Sequence, residues 1–289
     1  MKPFEECALC IVKWVYERVS FSADEEQRYE LMRTIMEVLS REFTSSGNVA
    51  LISKRILDTV NEFVLAAETH YNEIKTKTNK AARGLLPASR EFIEKGGNPQ
   101  DRFERACSLA SAGNVSTIGA PTGAFAFPEV ENIIAGRGAI PHLTGDVYGS
   151  AKKAKHVLFL VDNAGEIGFD SLLIEELKAI GLDVSLVVKE DPFFEDATLE
   201  DARYFGLDQL TENILTTKSV FIPGYSKPSL EEAYKNSDLV IAKGVFNFES
   251  LAGEDLDKPV IFILKMKCRV LSGINEAEMG NAIVRLVNV

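Results

Sequence analysis

Long apolar runs are missing from this 289-residue chain: no aliphatic and aromatic stretch exceeds five residues, the length of Val157–Val161 and Val260–Leu264. A membrane-spanning helix needs about 20 such residues, so both read as buried strands, and no membrane partner is expected. A basic excess is missing as well. Asp and Glu number 43 against 32 Lys and Arg, a formal net charge of −11. Nucleic-acid binding rests on neutralising phosphates with Lys and Arg, so no nucleic-acid partner is expected. The first residues, Met1-Lys2-Pro3-Phe4-Glu5-Glu6, put acid where a signal peptide has its apolar segment, and the expected location is cytoplasmic. Glutamine is scarce, at three residues, a composition that leans towards a thermophilic source.

Reactive side chains are few. There are three histidines, His70, His142 and His156, and no Ser-His-Asp or Cys-His set can be assembled from their spacing. A Gly-x-Ser-x-Gly turn is absent, which argues against a serine hydrolase of that type. A Walker loop is absent too, which argues against a nucleoside triphosphatase. The four cysteines, Cys7, Cys10, Cys107 and Cys268, are thiols by default in a reducing compartment. Cys7-Ala8-Leu9-Cys10 has zinc-type or redox spacing, but no second Cys or His pair follows it. In a helical pattern three residues apart means one face, so the pair is expected to be buried and structural.

What remains is an ordinary globular composition, with 46% hydrophobic residues and a mean hydropathy of −0.01. Length alone favours two domains. To about residue 112 the chain reads as successive amphipathic helices, expected over 4–19, 24–42, 49–72 and 99–111. Asn98 and Pro99 open the last of these. Residues 113–150 are rich in glycine and proline, with one helix expected around 128–135. Gly136-Arg137-Gly138 follows no predicted strand and reads as a turn.

From Lys155 the texture changes. The continuous apolar segments 156–161 and 184–188 flank a helix over 169–180, which makes a parallel βαβ unit. Segments 238–242 and 259–264 add buried strands, 282–287 an edge strand, and helices are expected near 198–205, 228–236 and 246–251. The fold class is therefore α/β. A helical N-terminal domain with a loop-rich linker (1–150) precedes a doubly wound, Rossmann-like α/β/α domain (151–289) of about five strands.

Ligands of such sheets bind beyond the carboxyl ends of the strands. Four polar clusters fall there: Asp162-Asn163-Ala164-Gly165-Glu166, the segment from Lys189 to Asp196, Lys243-Gly244 through Asn247 and Glu249, and Lys265 with Lys267. Asp162, Asn163 and Asp196 offer hard oxygen donors suited to Mg²⁺, Mn²⁺ or a similar ion. Gly165 lets backbone amides approach an anion. Lys243 and Lys265 supply local cations that the acidic chain otherwise lacks. Each piece has a plainer explanation, since Asp162-Asn163 suits a capping or Asx turn and Asp196 with Thr198 suits a helix cap. The combination at several strand ends favours a site.

With Cys7-Ala-Leu-Cys10, Gly113-Asn114, Asp162-Asn163-Ala-Gly-Glu166, Glu195-Asp196-Ala-Thr198, Lys243-Gly244 through Asn247-Phe-Glu249, and Lys265-Met-Lys-Cys268, the chain resembles the metal-dependent damage-control phosphatases. That family was long catalogued as a domain of unknown function. The resemblance covers most of the chain, and Asp162–Glu166 after an apolar strand is its specific marker. It implies hydrolysis of phosphate monoesters of small metabolites, sugar phosphates or damaged phosphometabolites, with Mn²⁺, Ni²⁺, Co²⁺ or Mg²⁺. Asp162, Asn163 and Asp196 would be metal ligands and catalytic residues. Asn114, Glu166, Lys243, Asn247, Glu249 and Lys265 would face the substrate. Members often carry Asp where this chain has Thr117. A non-catalytic phosphometabolite sensor is the alternative, and protein carboxyl methylation, which no glycine-rich nucleoside turn supports here, is a third.

Overall fold

A computed structural model describes residues 1–114, 126–138, 141–253 and 256–287, apart from the side chain of His142. The first helices form where capping and periodicity coincide. α1 (Glu5–Val19) opens on Glu5 and Glu6, carries Arg18 in its last turn, and buries Cys7, Ile11, Val15 and Val19 along one stripe. α2 (Glu25–Glu42) starts at Asp24, whose carboxylate accepts the Gln27 amide at 2.9 Å while the Gln27 side chain accepts the Asp24 amide at 2.9 Å. α3 (Val49–Thr59), α4 (Asn61–Ala66) and α5 (Glu68–Glu94) follow, so the single helix expected over 49–72 is three pieces. Apolar spacing runs on across the breaks at Val60 and Ala67, both buried, which hides them from periodicity. α6 (Pro99–Ala112) begins on Pro99 with the Asn98 side chain accepting the Asp101 amide at 3.0 Å.

Cys7 is buried and Cys10 is exposed, which corrects the expected buried pair: Cys10 lies beyond the edge of the stripe that continues through Ile11 and Val15.

The rest of the chain alternates: α7 (Pro128–Ile134), β1 (His142–Thr144), α8 (Val147–Lys153), β2 (His156–Leu160), α9 (Glu166–Ala179), β3 (Asp183–Lys189), α10 (Leu199–Tyr204), α11 (Leu207–Leu210) and β4 (Asn213–Thr217). Then come α12 (Pro228–Asn236), β5 (Leu239–Lys243), α13 (Gly244–Leu251), β6 (Val260–Lys265), α14 (Arg269–Asn275) and β7 (Ala282–Val287). The seven strands lie in the order β1-β7-β6-β5-β2-β3-β4. Every pair is parallel except β6 with β7. The expected five strands are present, but β1 and β4, not expected from the sequence, form the two edges, so β7, expected at an edge, instead lies between β1 and β6.

Side chains of the central strands alternate between two apolar layers. Leu158, Leu160, Val240, Ala242, Phe262 and Leu264 meet α1–α4 and α12–α14 on one face. Val157, Phe159, Val161, Ile241, Ile261 and Ile263 meet α6–α9 on the other. Burying each of these side chains other than Ala242 contributes about 1.5–3 kcal/mol. α5 belongs to both layers, since Tyr71 joins the first cluster and Ala82, Leu86 and Ile93 the second. Between them it crosses the end of the sheet with Lys75, Thr78 and Asn79 buried. β2 sits between β3 and β5, so the chain turns one way after β2 and the other way from β5. That is a topological switch point, and the crevice there is where such sheets bind ligands. Among the described residues no helix is long and apolar enough to cross a membrane.

Candidate active site

The loop after β2 and the loop after β3 are stitched together at the switch point. The Ala197 amide donates to the Asp162 carbonyl at 2.9 Å, and the Ala164 amide donates to the Glu195 carbonyl at 2.9 Å. Asn163 and Asp196 form an antiparallel bridge between these bonds. The backbone thus brings together the three residues expected to ligate a metal. α5 braces the loop from behind: the Gly165 amide donates to Asn79 Oδ1 at 2.6 Å, Asn79 Nδ2 donates to Asp201 Oδ1 at 2.7 Å, and Lys75 pairs with Asp201 at 2.7 Å.

Two glycines make the approach possible. Gly165 has φ of +73°, and a Cβ there would come within 2.3 Å of Thr78 Cγ2. Gly244, the first residue of α13, has φ of +77°, and a Cβ there would sit 2.0 Å from Asp162 Oδ2.

Acid and amide side chains converge on this point. Asp162 Oδ2 accepts from Asn114 Nδ2 and from Asn163 Nδ2, each at 2.9 Å. Asn114 also donates to Glu166 at 2.9 and 3.0 Å, and its Oδ1 accepts the Lys265 amide at 3.1 Å. Desolvation pushes the Asp162 carboxyl up to about 7, Glu166 and Asp196 push it the same way, and Lys267 pulls it back. Asp196, buried, is raised to about 6 by desolvation and eased by Lys189, whose Nζ lies 3.2 Å from Asp196 Oδ2.

Two raised carboxyls of like charge, with the Asn163 side-chain amide beside them, fit a hard divalent cation, whose charge offsets their repulsion. Asp162, Asn163 and Asp196 would hold it. Among the described residues no group of three or more His, Cys, Asp and Glu side chains is arranged to hold a metal. Here the donors are two carboxylates and an amide, a set that leaves positions for water and substrate.

The other expected site residues divide. Lys243 is fully buried and its Nζ is taken by Glu166 at 2.6 Å, Asp170 at 2.6 Å and the Ala110 carbonyl at 2.8 Å. Desolvation opposes its charge, but Asp170 and Glu166 hold its pKa above the ordinary lysine value. Glu166 and Asp170 are also buried, and desolvation raises Asp170 to about 7 despite Lys243. Lys243 therefore lies inside the protein, against the expectation that it faces substrate: all three of its donors are used beneath the loop.

Asn247 lies under the same loop, donating to the carbonyls of Val161 at 3.1 Å and Lys243 at 2.8 Å. Lys265 pairs with Glu129. Glu249 is turned away. It stands two residues beyond Asn247 on α13, and such positions point to different sides of a helix. The Met1 ammonium donates to the Glu249 carbonyl at 2.7 Å, and desolvation raises the carboxyl to about 7, with that ammonium pulling back. Lys267 is exposed and close enough to ease Asp162. Asp170, Lys75 and Asn79 were not signalled by spacing alone, although Asp170 stands four residues after Glu166 inside an otherwise apolar helix face. Thr117 lies outside the described residues.

An open, mostly parallel sheet with acids and amides gathered at its switch point defines an α/β protein with one polar ligand or reaction centre. Comparison with known proteins narrows the class. Residues 4–283 match the model of the Damage-control phosphatase ARMT1-like domain, and the chain belongs to that family. It is 32% identical over 96% of its length to an uncharacterized protein of Methanocaldococcus jannaschii, of which 93% is covered. It is 29% identical to a damage-control phosphatase of Archaeoglobus fulgidus, over 99% of this chain and 100% of the relative. A crystal structure of a DUF89 family protein from Pyrococcus horikoshii superposes with a TM-score of 0.80 at 25% identity, covering 98% of both chains.

Proposed function

We propose that the chain is a cytoplasmic, divalent-metal-dependent phosphatase that hydrolyses phosphate monoesters of small metabolites, sugar phosphates or damaged phosphometabolites. The observation that carries this reading is the stitched pair of loops that faces Asp162 and Asn163 towards Asp196. Relatives named damage-control phosphatases over nearly the whole length support the reaction class.

Asp162, Asn163 and Asp196 would hold Mn²⁺, Ni²⁺, Co²⁺ or Mg²⁺. A bound ion of this kind supplies Lewis acidity and lowers the pKa of a coordinated water. The protein's own residues do the rest. Asn114 fixes the Asp162 carboxylate by donating its Nδ2 to Oδ2. Lys243, with Glu166 and Asp170, neutralises the floor of the loop and takes no part in phosphate contact. Lys267, exposed and without an ion-pair partner among the described residues, binds the phosphate.

The decisive experiment is a phosphatase screen over phosphorylated sugars and cofactors with each of the four metals, run on the native chain and on Asp162→Ala. Phosphate release is expected from the native chain only, and metal-dependent turnover that survives in Asp162→Ala would sink the assignment. Stabilisation by a phosphometabolite with no release would favour the sensor reading instead.

A further inference from the structure

Arg18 is a charged residue that the site described so far leaves without a role. It lies in the last turn of α1, on the helical layer, and is buried. Its Nη2 donates to Glu195 Oε1 at 2.6 Å, with side-chain exposures of 7% and 8% for the pair. Its guanidinium lies over the Trp14 ring at 4.3 Å. Nε and Nη1 find no acceptor among the described residues, so Glu195 is the polar anchor that keeps this cation inside. Burying an ion pair is costly and is not an efficient way to gain stability, which directs attention to what the pair holds in place.

What it holds is the metal loop. The Glu195 carbonyl accepts the Ala164 amide, and the next residue, Asp196, bridges Asn163. The preceding residue, Phe194, has φ of +52°, a left-handed conformation that a bulky side chain rarely adopts. Its ring is fixed between Trp14 at 5.2 Å and Tyr71 at 5.3 Å, and the Tyr71 hydroxyl donates to the Arg18 carbonyl at 3.2 Å. Trp14, Arg18 and Tyr71 all come from the N-terminal helices. They grip consecutive residues immediately before Asp196, two through ring contacts and one through charge.

We infer that Arg18 is a positioning residue for the metal: through Glu195 it sets Asp196 opposite Asp162 and Asn163. This rests on the metal reading above. An outer partner of a metal ligand is typically worth ten- to a hundred-fold in metal affinity, and the bond from Arg18 is one residue removed from the ligand.

The test is calorimetric titration of Mn²⁺ into the full chain without substrate, with melting curves of the same samples. Arg18→Met and Glu195→Gln are each expected to weaken binding by about ten-fold, and the double variant by no more than either alone. Arg18→Lys keeps the charge and is expected to recover part of the loss. Leu31→Ala, a core truncation in α2, should lower the melting temperature and leave Mn²⁺ affinity unchanged. Should Arg18→Met fail to fold, the near-isosteric Glu195→Gln decides alone. Native affinity in Glu195→Gln, or an equal loss in Leu31→Ala, overturns the inference. If the native chain binds no Mn²⁺, or binds it equally well as Asp162→Ala, the metal reading falls and takes this one with it.

Discussion

Charge at a strand end does not reveal whether a side chain meets substrate or meets its own protein. Lys243 and Lys267 illustrate the two outcomes. Lys243 is sealed beneath the loop by two carboxylates and a carbonyl, whereas Lys267 is exposed beside Asp162. Removing one partner of a buried ion pair costs about 3–5 kcal/mol, so Lys243→Met should show that loss in urea unfolding. Lys267→Ala should leave unfolding unchanged and lower kcat/KM about ten- to a hundred-fold, because a hydrogen bond to a charged group is worth roughly 1.5–3 kcal/mol. A folding defect in the second variant would reverse the assignment. Glu249 offers a pH test. Its folded-state pKa of about 7 lies above the ordinary glutamate value, so the folded chain holds a proton that the unfolded chain releases. Its contribution is intact in the acid range below about pH 4 and is lost as pH rises towards 7. Glu249→Gln should therefore raise the melting temperature at pH 8 and change it little at pH 4, in metal-free buffer.

At the scale of elements, the strands that alternate apolar residues or run continuously apolar were legible: β2, β3, β5, β6 and β7. β1 and β4 were not. β1 has three residues, and β4, Asn213–Thr217, is half-buried and ends in two threonines at the sheet edge. Edge strands bury too little to leave a pattern. The loop after β2 was legible because its acid, amide and glycine follow a strand without interruption. The support behind it was not, since Asn79 and Arg18 come from helices far away in the chain and look like ordinary surface positions in a helical repeat, while Asp201 reads as part of the cap of α10. Gly244 stands where two of these elements meet. Gly244→Ala should cost about 1–2 kcal/mol for its left-handed backbone, and it should also displace Asp162. Loss of Mn²⁺ binding larger than the loss of stability is the expected signature. A variant with native metal affinity would show that the Asp162 carboxylate has room to move.

At the scale of the whole molecule, residues before 113 cover both faces of the sheet. α1–α4 lie on one face and α6 on the other, with α5 crossing between them at the site. A fragment of residues 151–289 would expose apolar strand faces on both sides. It is expected to lose near-ultraviolet dichroism, bind a hydrophobic dye and melt without a cooperative transition, and a sharp native-like melt would contradict this account of the core. Cations reach the centre of this acidic chain from both kinds of element, Lys75 and Arg18 from the helical layers and Lys189 and Lys243 from the sheet.

The stitching between the loops after β2 and β3 has a practical consequence for anyone transplanting this chemistry. Two backbone bonds, which together make the bridge between Asn163 and Asp196, tie Asp162–Ala164 to Glu195–Ala197, so neither segment has a shape of its own to carry elsewhere. Grafting Asp162–Glu166 onto another α/β scaffold would move a recognisable string of letters and leave behind Asp196, one of the three proposed ligands. The smallest portable unit is a pair of segments more than thirty residues apart, together with the helix that backs them.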